Sequence, residues 1–162
     1  MSQVRHRGGW LILVSFLAAY VLTILPLPLW LQQARPDWVA LVLVYWCIAT
    51  PQRVGVGVGW IAGLLQDAIQ SSLFGQHALA YAVLAYLTLK LHQRFRVFPL
   101  WQQALSIMLL LLLARLLILW SNSFVGRSMH MMDYWIGALI GAALWPLVFL
   151  LMRRLRSGFD VR

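Results

Sequence analysis

Between Tyr134 and Met152 the chain runs nineteen residues without a charged side chain, and between Val97 and Leu119 it runs twenty-three with only Arg115. A helix of about 20 apolar residues crosses the roughly 30 Å hydrocarbon core of a bilayer, so both runs are long enough to span one. A soluble fold would have to cover such segments on every side. The rest of the chain lacks the material to do so: 62% of its 162 residues are hydrophobic and 10% are charged, against about 25% charged in an ordinary soluble domain. Much of the surface must therefore face lipid.

Four further apolar runs punctuate the sequence. Together they predict an all-α integral membrane protein: six transmembrane helices in one bundle, a single transmembrane domain over 1–162. The expected spans are about 9–31, 37–50, 53–70, 76–91, 97–119 and 134–152. Pro26, Pro28, Pro36, Pro51 and Pro99 fall at expected helix ends, where a missing backbone N–H costs least. Trp10, Trp30, Trp38, Trp101 and Trp135 also lie near ends, as interfacial aromatics do. Trp46 and Trp60 do not fit that belt and are expected to pack inside. The start, Arg5, His6 and Arg7 before an apolar run, imitates a secretory signal, but the bulky LPLPLW follows where small residues would mark cleavage. It reads as a retained first helix.

The charge pattern sets the orientation. Thirteen Lys and Arg stand against four acidic residues, for a net charge of +9. They cluster between apolar runs rather than interleaving with polar residues on one face, which excludes a nucleic-acid binder. With a cytoplasmic N-terminus and six spans, one side holds ten positive residues: Arg5, Arg7, Arg53, Lys90, Arg94, Arg96, Arg153, Arg154, Arg156 and Arg162. The other side holds Arg35 and Arg127, and Arg115 falls within a span. Positive residues are retained inside during insertion, so both termini are expected to be cytoplasmic. The basic groups also suit anionic lipid head groups.

Few residues offer chemistry. Gly55, Gly59 and Gly63 recur every fourth residue in the third span, with Gly57 beside them, and Gly137 and Gly141 repeat the spacing in the sixth. Small residues at this spacing stack on one face and admit a neighbouring backbone. That neighbour is a helix of this chain or of a partner. Asp67 lies four residues beyond Gly63 on the same face. An ionisable group within a span faces a bundle interior, a polar cavity or a partner. Arg115 lies at similar depth, which allows a pair with Asp67, though snorkelling to the outer surface is the first reading for a long side chain near an end.

No nucleophile elbow, zincin or Walker pattern is present. Asp37, Asp133 and Asp160 fall at expected loops or the tail, leaving Asp67 as a lone carboxylate. His77 would serve as a base only with Ser71 or Ser72 beside it. The lone Cys47 reads as a small packing residue, and nothing suggests a metal or other cofactor. The chain is read as non-enzymatic.

Some stretches are more specific. RPDWVALVLVYW (Arg35 to Trp46) and PQRVGVGVGWIAGLLQDAIQSSLFGQHAL (Pro51 to Leu79) resemble the rod shape-determining MreD family. LWQQAL (Leu100 to Leu105) and LWPLVFLLMRRLR (Leu144 to Arg156) are similar to its proteobacterial branch. The most specific part is G-x-x-x-G-L-L-x-D followed by F-G-x-x-A-L.

The resemblance implies a non-enzymatic inner-membrane component of the cell-elongation complex. Its direct partner would be MreC. Through it the complex would join MreB filaments to the polymerase RodA and its class B penicillin-binding transpeptidase. It implies a fold similar to the substrate-binding subunits of energy-coupling-factor transporters. It also assigns the family's near-constant Asp to Asp67, and assigns nothing to Arg115. Two alternatives stay open: a subunit that binds or transports a vitamin-like small molecule, needing a polar-lined cavity, and an intramembrane enzyme, needing a second catalytic group beside Asp67.

Overall fold

The computed structural model describes residues 9–25, 28, 37–51, 54–70, 75–124, 126 and 131–158, and the apolar runs fold there as six helices. These are α1 (Gly9–Ile24), α2 (Trp38–Ala49), α3 (Val56–Gln70), α4 (Gln76–Val97), α5 (Leu100–Phe124) and α6 (Met131–Gly158). Bounds differ from the expected spans in an instructive way. α4 continues to Val97 and α5 starts only after Pro99, so Lys90, Arg94 and Arg96 ride on the last turns of α4 rather than in a loop. The stretch 29–31 at the end of the first expected span lies outside the described residues, as do Arg35 and Arg127.

Two helices are long and apolar enough to cross a membrane by themselves: Leu100–Phe124, with mean hydropathy 2.3, and the Trp135–Leu155 part of α6, with 2.1. Only 28% and 33% of their most apolar windows are buried in the protein. A core helix of a soluble protein would be covered, whereas these present leucine to the outside. α1, α2 and α3 are shorter apolar helices. At 1.5 Å per residue α2 is only about 18 Å long.

α2 is the axis of the bundle. Every residue from Val39 to Ile48 is buried, as expected of a helix that is hydrophobic all round. It packs against α1, α4 and α6. Trp46, Tyr45 and Trp145 fill the centre, with Tyr45 edge-on to Trp46 and to Phe149. Trp46 donates its indole N–H to Ser15 Oγ of α1 at 2.8 Å, so it lies inside as expected. Trp60 does not: it is 51% exposed. The reason is that Gly59 and Gly63 turn toward α4, which swings Trp60 and Ile61 outward. Cys47 is buried and unpaired, as a packing residue.

Short helices leave unsatisfied backbone groups at their ends, which is costly away from water. Side chains close these ends, mostly from neighbouring helices. Asp37 caps α2 by accepting from Ala40 N at 3.3 Å, helped at the other end by Thr50, whose hydroxyl donates to Trp46 O at 3.1 Å. Arg96 of α4 donates twice to Ile48 O, at 3.2 and 2.9 Å, which also suits a cation at a helix C-terminus. Gln103 of α5 is buried and donates to the carbonyls of Phe95 and Phe98 at the end of α4. Its own carbonyl accepts the indole N–H of Trp145 from α6 at 3.3 Å. One amide thus joins three helices. Gln103→Leu would leave buried groups of both kinds unpaired, each worth about 1–3 kcal/mol. The expected result is a clear drop in the melting temperature of the detergent-purified protein, while Gln102→Leu, one residue away on a less buried face, leaves it nearly unchanged.

These bonds also give direction. Tyr81 near the start of α4 donates to Asp37 at the start of α2 at 2.6 Å, and Arg96 joins their ends, so α2 and α4 run parallel. Tyr20 late in α1 donates to Ala62 O, midway along α3, at 2.6 Å. One end of the bundle therefore gathers Asp37, Asp67 and His77. The other gathers Arg94 and Arg96.

Candidate functional site

The Asp end holds the densest polar arrangement, and glycine creates it. A Cβ on Gly59 would come within 2.8 Å of the Tyr81 carbonyl oxygen. A Cβ on Gly63 would overlap the backbone of Ala78 and the carbonyl of His77. α3 and α4 therefore touch backbone to backbone at the first turns of α4. Asp67, one turn beyond Gly63, is carried over the N-terminus of α4.

That N-terminus needs help. Gly75, its N-cap, sits in the left-handed region at φ 97 and has no side chain to accept from the first turn. Asp67 supplies the missing acceptor from another helix. Its Oδ2 accepts from Gly75 N at 2.9 Å and Ala78 N at 3.4 Å, and its Oδ1 from His77 N at 2.9 Å. These are the N–H of the N-cap itself and those of the third and second helical residues, the last two being the ones an ordinary cap serves. The negative carboxylate also lies at the positive end of the α4 dipole. Oδ1 further contacts His77 Nδ1 at 2.7 Å. An ionised carboxylate only accepts, so that ring nitrogen carries the proton. Asp67 is 1% exposed and His77 7%.

From this pair the network continues inward. The His77 ring meets Tyr81 edge-on with centroids 5.8 Å apart, and Tyr81 hydroxyl bonds Asp37. The sequence placed Asp37 at a loop; the structure makes it both the α2 cap and a partner of α4. Gln66 and Gln76 flank the pair, each with a buried carbonyl oxygen that accepts no hydrogen bond among the described residues.

The remaining candidates separate. A Cβ on Gly55 would meet only Leu89, at an ordinary 3.7 Å, and one on Gly57 would find nothing within 4 Å. A Cβ on Gly141 would come within 3.1 Å of Leu111 of α5, and one on Gly137 within 2.7 Å of the Arg115 guanidinium. Arg115 therefore folds against α6, half-buried, with its Nε out of solvent. Gly137 leaves a notch that the guanidinium fills. Asp67 sits at the α3–α4 corner and Arg115 at the α5–α6 contact. Ser71 and Ser72 lie outside the described residues, as does the side chain of Asp133. No cluster of three or more metal-ligating side chains occurs among the described residues.

The periodicity of the sequence pointed to the Gly59–Gly63–Asp67 face but not to what it meets. His77, Ala78, Tyr81, Arg96 and Gln103 escaped that reading in their structural roles. One signal was available for the first two: a helix opening at F-G-Q-H-A has a glycine cap that cannot cap itself, so an acceptor must come from elsewhere.

Comparison with known proteins agrees with the length and the pattern. Residues 4–155 match the family described as rod shape-determining protein MreD. The rod shape-determining protein MreD of Haemophilus influenzae is 36% identical over 155 residues, covering 95% of this chain and 96% of that protein. No solved structure matches the chain.

Proposed function

The chain belongs to the rod shape-determining MreD family, and on that premise we propose that it is a non-enzymatic inner-membrane component of the cell-elongation complex. In this reading it crosses the membrane six times with both termini cytoplasmic. It works with MreC, and through it with MreB filaments, RodA and the class B transpeptidase, to scaffold or regulate peptidoglycan synthesis. The observation that carries the reading is the match along nearly the whole chain, which attaches the family's shape-determining role to the entire bundle.

The site chemistry supports a scaffold. Asp67 and His77, the pair best suited to proton transfer, are engaged in closing the start of α4. The vitamin-binding alternative requires a polar chamber, whereas aromatic side chains fill the space around α2. Likeness to energy-coupling-factor subunits remains part of the proposal as an analogy of helix number, and fold alone does not assign a ligand. The charge asymmetry supports placing the Arg94–Arg96 end in the cytoplasm.

Depletion in a rod-shaped host tests this. Cells are expected to round into spheres, to regain rod shape with the wild-type chain, and to yield MreC with the tagged chain from native membranes. Depleted cells that stayed rod-shaped but lost uptake of a vitamin would replace this reading with the transport alternative.

A further inference from the structure

At the Arg end, a groove of about 240 Å³ lies between α4 and α5 beside the Phe98–Pro99 turn. Its α4 wall is Leu91, Arg94, Phe95 and Phe98, and its α5 wall includes Leu109 and Leu110. Leu91, Arg94 and Phe95 are spaced i, i+3, i+4 and so share one face of α4, and Phe98 follows at its C-cap. Ser106 also lines it, but its hydroxyl donates to Gln102 O at 3.0 Å. The walls are therefore apolar, with one cation set among them.

Arg94 is exposed and makes no hydrogen bond or ion pair among the described residues. Its neighbours on α4 are occupied. Lys90 lies over the Tyr86 ring at 4.8 Å, and Arg96 holds Ile48 O. A free guanidinium at the helix end, above an apolar trough that runs toward the middle of α5, is complementary to a molecule with an anionic head and a hydrocarbon chain. Basic pockets between transmembrane helices take phospholipid head groups by this logic.

We propose that this groove binds an anionic phospholipid, its phosphate on Arg94 and an acyl chain along Phe95, Phe98, Leu109 and Leu110. The proposal rests on the membrane location of the chain but not on its partners or orientation. A bound lipid would wedge between α4 and α5 beside the turn that Gln103 ties together. The lipid composition of the membrane would thereby bear on the packing of the bundle.

Native mass spectrometry of the full detergent-purified chain, titrated with phosphatidylglycerol or phosphatidylcholine, tests it. The wild type should retain phosphatidylglycerol preferentially. Arg94→Gln should weaken that retention by about fivefold, the contribution of one basic residue near anionic lipid. Lys90→Gln removes the same charge one turn away, outside the groove, and should retain the lipid as the wild type does. Leu109→Trp fills the trough and should lower retention of both lipids. Equal retention of the two lipids by the wild type, equal loss in Arg94→Gln and Lys90→Gln, or unchanged binding by Leu109→Trp would each overturn the proposal.

Discussion

Leucine in place of Gly63 is expected to leave almost no folded protein in the membrane. A single added carbon at this position would already overlap the backbone of Ala78 and the carbonyl of His77. Backbone cannot rotate aside as a flexible side chain does, so α3 and α4 must part. Overpacking alone typically costs about 1–3 kcal/mol. Here the separation also withdraws Asp67 from the start of α4, adding a lost cap of about 0.5–2 kcal/mol and newly unpaired N–H groups. Against a total stability of about 5–15 kcal/mol, that is enough to deplete the folded state. Gly59→Ala should be intermediate, because it meets the Tyr81 carbonyl at 2.8 Å. Gly57→Leu should be nearly neutral, since nothing lies within 4 Å of that position. Fluorescence-detected size exclusion of tagged variants ranks the three. A normal monodisperse peak for Gly63→Leu would refute the backbone contact.

Asp67→Ala should have the second-largest effect. It removes the acceptor for three backbone N–H groups and for the His77 ring. Each donor left buried and unpaired costs about 1–3 kcal/mol, although relaxation at the helix start limits the sum. A loss of at least ~3 kcal/mol is expected. Asp67→Asn keeps an accepting oxygen but loses the charge at the α4 dipole, so it should be milder. His77→Ala should also be milder, because the three backbone donors keep their acceptor. This order, Ala at 67 worst and the other two less severe, distinguishes a cap from a carboxylate–imidazole pair valued for its chemistry. In the latter case all three would behave alike.

Much of the arrangement was readable from residue order. The apolar runs located the helices, and the four-residue glycine spacing located the face of α3 that packs. Periodicity along one helix identifies a face but not its neighbour, which is why Gly63 and Asp67 were assigned together without α4 being named as their contact. Caps supplied from another helix are harder still. Gly75 is eight residues from Asp67, and Arg96 is forty-eight from Ile48, so no local motif joins them. Arg96 entered the sequence reading only as a topological charge. Trp60 was misplaced for a related reason: its position along the helix suggested burial, but its direction depends on where Gly59 and Gly63 point. The notch at Gly137 that receives Arg115 lies on another helix, so the residues around Arg115 do not announce it.

At the Gly63–Asp67 corner α3 is locked to α4 within the chain. The most direct measurement is rescue of rod shape by Asp67→Ala at matched levels of folded protein. Expression of the variant is raised until its monodisperse peak equals that of the wild type, and cell shape is then scored in the depleted strain. The account predicts that the variant accumulates poorly at native expression and restores rods once its folded level is matched. Spherical cells at matched folded level would contradict it, because Asp67 would then be needed for something other than holding α4 to α3.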